Sequence, residues 1–179
     1  MSRTNHSYLI SCLTFYLLAV RYAKASGLKV VAVDIDDETL AKAKQAGVEH
    51  TFNSRSDPNF IEELRKVTSG GADAVAVFTA VKAGYDVAPK TLKLGGKLVC
   101  VGCPPNEISV NALHIALGMY SVLGASNHAK PAELRECADF TVQHGIECPI
   151  QFFGIDQIGE MIDLMQSGKM GGTRLVVRF

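Results

Sequence analysis

One stretch, Gly27 to Asp37 (GLKVVAVDIDD), limits the folds open to this chain more than any other. Leu28 to Val33 is a short, almost unbroken apolar run rich in valine. Such a run suits a strand covered on both faces, the situation of strands in a parallel sheet. It ends in three carboxylates, Asp34, Asp36 and Asp37. One use for them is local, because Asp36 or Asp37 can cap the helix that follows.

The rest of the chain repeats the alternation that this strand begins. Strands are expected at Tyr8–Cys12, Leu28–Val33, His50–Asn53, Asp73–Phe78, Lys97–Val101 and Tyr120–Gly124, with a short edge strand at Ile150–Phe153 and a last one at Arg174–Phe179. Between them lie helices at Leu17–Ser26, Asp37–Ala46, from Ser56-Asp57-Pro58 to Val67, Val81–Leu92, Ala112–Leu117, Glu133–His144 and Ile155–Gln166. Gly27 and Gly47 serve as C-terminal stops, and Pro89 predicts a bend or late start in its helix. Strands alternating with helices predict an α/β fold, a doubly wound parallel sheet of Rossmann-like type in a single domain. In a sheet of order 3-2-1-4-5-6 the first strand is central, so Tyr8–Cys12 is needed to fill the gap between two buried neighbours. The competing expectation is one continuous helix from Ser7 to Ser26, since no helix breaker occurs there.

In such a fold Asp34 has a second use. An acid at the carboxyl end of the second strand accepts hydrogen bonds from both ribose hydroxyls of a dinucleotide, and it repels a 2′-phosphate, which favours NAD over NADP.

Composition narrows the partners. The 179 residues are 47% hydrophobic and 20% charged with zero net charge, which allows a full core and offers no basic block for nucleic acid. Five cysteines are an odd number and read as reduced thiols of a cytoplasmic protein, not a disulfide framework. Tyr8 to Val20 is apolar and Ala23-Lys24-Ala25 fits a cleavage pattern, but Arg21 and Lys24 interrupt it and the next strand needs the helix. This segment is therefore expected to fold with the domain, and it is too short to cross a membrane.

The stretches LAVRYAKASGLKVVAVDIDD, GGADAVAVF, LGGKLVCVGCPP, SVLGAS and SGKMGGTRLVVRF together resemble the coenzyme domain of zinc-dependent alcohol dehydrogenases, in the medium-chain dehydrogenase/reductase superfamily. The resemblance runs over residues 18–179, leaving residues 1–17 as a divergent segment. It implies a six-stranded sheet continued by the terminal segment, and descent from an NAD-binding protein. Carried over by position, it implies ribose binding at Asp34 and backbone contacts to the cofactor at Phe78 and Thr79. It also implies a nicotinamide-side main chain at Gly102 and Cys103, a carboxamide-binding segment at Ala125 and Ser126, and a pyrophosphate-reaching base at Arg174. It further implies a homodimer paired through the edge strand Tyr120–Gly124.

Two departures from the family qualify its chemistry. Nothing before Leu18 can supply the GroES-like catalytic domain with its Cys/His/Cys zinc site. The lone CxxC pair Cys100 and Cys103 falls short of the three fixed ligands that a catalytic zinc needs, so no zinc is expected. The glycine-rich turn after the first strand is also missing, because no glycine occurs before Gly27. Ser11, Leu13, Thr14 and Tyr16 fall about where glycines stand in the family, and their side chains obstruct backbone N–H groups that would meet a pyrophosphate. NAD binding is therefore expected to be weakened.

Three functions stay open at this level. One is an alcohol-dehydrogenase-like oxidoreductase domain that keeps NAD. Another is a non-redox biosynthetic enzyme (isomerase, dehydratase or cyclase) with a small-molecule ligand in the vacated crevice, for which Tyr16, Cys103, His114, His128 and Asp34 are the acid/base candidates. The third is a non-catalytic interaction module or the product of a misread gene start.

Overall fold

The structure, a computed structural model, describes residues 7–11, 16–125, 129–167, 170 and 173–179. Six parallel strands, β1 (Ser7–Ser11), β2 (Lys29–Asp34), β3 (His50–Asn53), β4 (Ala72–Val77), β5 (Leu92–Cys100) and β6 (Tyr120–Gly124), form one sheet in the order β3-β2-β1-β4-β5-β6. β1 is central. Tyr8 lies opposite Val30 of β2 on one side and Ala74 of β4 on the other. A strand therefore stands where the continuous-helix alternative required helix, while Cys12 lies outside the described residues.

The apolar run of β2 has its explanation in two-sided burial. Val31 and Val33 join a cluster with Phe60, Leu64 and Tyr85 on one face, and Val30 and Ala32 join Val20, Leu40 and Ala43 on the other. Successive strand residues point to opposite faces, so the four residues between Lys29 and Asp34 are all apolar. The first cluster is covered by helices α3 (Phe60–Val67) and α4 (Lys82–Val87), and the second by α1 (Tyr16–Ala25) and α2 (Asp37–Gln45). α3 starts later than Pro58 because Asp57 Oδ1 accepts the Asn59 N–H at 2.8 Å and holds a turn there. Pro89 ends α4, and the chain continues as a 3-10 turn over Ala88–Thr91.

The last third differs from expectation. α5 (Ala112–Ala116) precedes β6, and α6 (Pro131–Gln143) follows it. β7 (Ile150–Phe153), α7 (Ile158–Gln166) and β8 (Arg174–Val177) come after, and β7 and β8 pair in parallel as a separate two-stranded sheet. The terminal segment thus does not continue the six-stranded sheet. The reason lies in α6, which returns across the molecule to α1: the Tyr22 and Phe140 rings stack at 5.9 Å, and Arg21 donates to the Glu147 carbonyl. The chain that follows leaves from α1 and not from the β6 edge. Among the described residues no helix is long and apolar enough to cross a membrane.

Candidate functional site

All six strands point the same way, so their carboxyl ends share one rim. The strand order reverses beside β1, and ligands of such sheets bind in the crevice at that reversal. Asp34 ends β2 and is buried. Its Oδ1 accepts the N–H groups of Ile35 at 2.7 Å and Asp36 at 3.0 Å, and its carbonyl accepts Ser54 N–H at 2.8 Å. These bonds fix the carboxylate at the rim. Asp36 takes the capping role, its Oδ2 accepting Thr39 N–H at 2.9 Å and Thr39 Oγ1–H at 2.7 Å. The Thr39 bonds hold the Asp36 carboxyl below the usual aspartate range. Asp37 Oδ1 accepts from Asn53 Nδ2 at 2.7 Å, tying α2 to the end of β3.

Phe78, Thr79, Gly102 and Cys103 meet where β4 and β5 end. The Val77 carbonyl accepts both Val101 N–H (3.1 Å) and Gly102 N–H (2.8 Å). A Cβ built on Gly102 would stand 2.6 Å from the Phe78 carbonyl oxygen and from the Thr79 carbonyl carbon, which are backbone atoms that cannot swing away. Only glycine lets these two chain segments approach so closely, and the result is a half-buried backbone ledge at the rim.

One residue of this arrangement escaped the sequence reading. Tyr85, buried on α4, donates its hydroxyl to the Gly102 carbonyl and so clamps the loop after β5. Burial, with Cys100 and Cys103 adding, pushes this hydroxyl up to about 12, so it stays a donor at neutral pH. Burial also raises the Cys100 thiol, with Cys103 adding, which leaves it protonated and inert. The available signal was a lone tyrosine in the first helix after β4, a polar-tipped aromatic that needs a partner once buried.

The other candidates are dispersed. Ala125 follows β6 at the rim, its N–H given to the Cys100 carbonyl at 2.9 Å. Tyr16 opens α1. Arg174 opens β8, whose only strand neighbour among the described residues is β7. Ser126 and His128 lie outside the described residues, as do residues 12–15. His114 is a correction: it sits edge-on to Tyr120, the first residue of β6, at the opposite end of the sheet from Asp34. His114 therefore does not join the acid/base set expected in the crevice. Among the described residues no three histidine, cysteine, aspartate or glutamate side chains converge on a point, so a zinc ion does not fit this set. Asp34 and the Gly102 ledge both lie on this rim.

Parallel strands in this order, with an acid closing β2 and a glycine ledge closing β5, define a domain of the doubly wound, Rossmann-like class. The family model described as "Zinc-binding dehydrogenase" matches residues 17–143, and the chain belongs to that family. An alcohol dehydrogenase of Geobacillus stearothermophilus is 32% identical over 161 residues, covering 90% of this chain and 47% of that protein. One from Moraxella sp. (strain TAE123) is 33% identical over 163 residues, with 90% and 47% covered. The chain thus spans about half the length of these relatives. Among solved structures, the alcohol dehydrogenase of Aeropyrum pernix superimposes with a TM-score of 0.83 at 22% identity, over 96% of this chain and 49% of that one. Acetophenone reductase of Geotrichum candidum, solved in complex with NAD, gives 0.77 at 21% identity, over 96% and 48%. At that identity the likeness speaks for the fold.

Proposed function

We propose that this chain works as the coenzyme-binding domain of an alcohol-dehydrogenase-like oxidoreductase, taking NAD along the carboxyl ends of β2, β4 and β5 with a weakened hold on the pyrophosphate. The observation that carries this reading is the convergence of Asp34 and the Gly102 ledge on one rim. Asp34 would receive the adenosine ribose hydroxyls. The main chain at Phe78, Thr79 and Gly102, stiffened by Tyr85, would line the nicotinamide side. NAD would supply the hydride-accepting ring. Zinc-dependent alcohol oxidation is not assigned to these residues, because three fixed ligands and an open position are required. The free thiols of Cys100, Cys103, Cys137 and Cys148 suit a reducing, cytoplasmic compartment.

Asp34 provides the test. Asp34→Asn keeps an acceptor for the Ile35 and Asp36 N–H groups while removing the charge. Calorimetric titration should show NADH affinity falling about tenfold and discrimination against NADPH relaxing, as expected for one charge-assisted pair of hydrogen bonds. Equal NADH affinity in wild type and Asp34→Asn would remove Asp34 from the ribose site and the reading with it.

The reading includes a homodimer. β6 has a strand neighbour on one side only among the described residues, and an unpaired edge of this kind is a template for pairing. Leu113 and Leu117 of the adjoining segment and Leu123 of β6 are exposed beside it. Val122 packs inward against its own core, so the informative substitution is Leu117→Asp. Sedimentation should give twice the 19.2 kDa chain mass for the wild type and a monomer with intact helix content for Leu117→Asp. A monomeric wild type at micromolar concentration refutes the dimer.

A further inference from the structure

The end of the sheet away from Asp34 holds a cavity of about 480 Å³, between the Pro89 turn, the first residues of β5 and the segment from Ser109 to Tyr120. Its floor is apolar: Leu92, Met119 and Tyr120 line it, with the His114 ring edge-on to Tyr120 at 6.4 Å. Its mouth is basic. Arg65 Nη1 donates to the carbonyls of Lys90 (3.2 Å) and Leu92 (3.0 Å), which anchors the guanidinium beside Lys90 and leaves further N–H donors of its fork for a ligand.

Charge in this lining is unbalanced. The lining acid, Asp86, is held by Lys82 Nζ through both oxygens, at 2.7 and 3.0 Å. Lys93 reaches Asp73 at 3.4 Å. Lys90 Nζ has no hydrogen bond or ion pair among the described residues, and no carboxylate answers Arg65 there. Two unanswered cations at the mouth of a concave apolar surface concentrate positive potential, and a few convergent polar groups over an apolar floor are the make-up of a small-molecule site.

We propose that this cavity binds a small amphipathic carboxylate, an acid with a compact aryl or branched aliphatic tail. The carboxylate lies between Arg65 and Lys90, and the tail lies on Leu92, Met119 and Tyr120. A planar carboxylate matches the guanidinium fork, and a single negative charge suits a site with so large an apolar share. The site is separate from the cofactor rim and needs neither NAD nor zinc.

Amide correlation spectra of the full chain titrated with 4-phenylbutyrate test this, with 4-phenylbutanol and inorganic phosphate in parallel. The expected result is saturable shifts at the amides of residues 90–94 and 114–120. Lys90→Gln, a change at an exposed side chain, should weaken the acid at least about tenfold, the low end for one hydrogen bond between charged groups. The neutral alcohol and phosphate should each bind at least about tenfold more weakly, since each lacks one half of the recognition. Added NADH should leave the acid's affinity unchanged. Shifts that never saturate or that spread along the exposed α5 face, unchanged affinity in Lys90→Gln, phosphate binding as tightly as the acid, or displacement by NADH would each overturn the proposal.

Discussion

Titration of this chain with NADH is expected to return a dissociation constant about two orders of magnitude above that of the Geobacillus stearothermophilus alcohol dehydrogenase measured alongside it. In a dinucleotide fold the pyrophosphate sits on backbone N–H groups at the start of the first helix, and glycines there let the backbone come close. Here the sequence between β1 and α1 is Cys12-Leu13-Thr14-Phe15, and no glycine occurs before Gly27. Loss of two or three charge-assisted hydrogen bonds costs about 3 kcal/mol, or roughly a factor of 150. On the reading proposed above, Asp34 and the Gly102 ledge still contribute, so binding is expected to be reduced and not erased. Fluorescence of NADH at rising protein concentration reads the constant directly. Affinity equal to that of the relative would mean that side chains at 12–15 hold the phosphates as well as glycine-turn amides do.

Leu98→Ala is expected to destabilise the six-stranded sheet by about 3 to 4 kcal/mol, while Leu94→Ala in the same strand changes stability by less than about 0.5 kcal/mol. Leu98 is fully buried in β5, set between Val75 of β4 and Val122 of β6, whereas Leu94 is 81% exposed. Truncating Leu98 removes the transfer term of a whole side chain and leaves a cavity between two packed neighbours. Truncating Leu94 removes contacts with water. Gly95 beside Leu94 has φ +75° and gives its N–H to the Met119 carbonyl at 2.8 Å, within the stretch where the β4–β5 register shifts. Urea unfolding followed by circular dichroism measures both variants. Similar midpoints for the two would refute the β4–β5–β6 register.

The features legible in the sequence were the ones governed by local rules. His50–Asn53, Tyr120–Gly124 and Ile150–Phe153 form strands with the expected bounds, because turn residues flank each of them. Asp34 could be placed because an unbroken apolar run must end somewhere, and a charge ends it. Which strands pair is another matter. Nothing within Arg174–Val177 states that its partner is β7 and not β6, since that choice is made by the path of α6 over α1. The position of His114 is legible in principle, by a rule of parallel sheets. It lies six residues before Tyr120, and the residues leading into a parallel strand sit at the amino end of the sheet, away from the cofactor rim. Tyr85 could not be assigned from sequence, because its partner is a backbone carbonyl that every residue carries.

The second sheet also sets how the molecule opens. Among the described residues β7 and β8 hydrogen-bond as strands to each other alone, and a two-stranded sheet is marginal in water. Amide protons of the 150–153 and 174–177 backbones should therefore exchange with solvent through local opening, while those of β4 and β5 wait for global unfolding. Solvent exchange would then report two cooperative units in one chain, with the rim that carries Asp34 and Gly102 built entirely on the slower one.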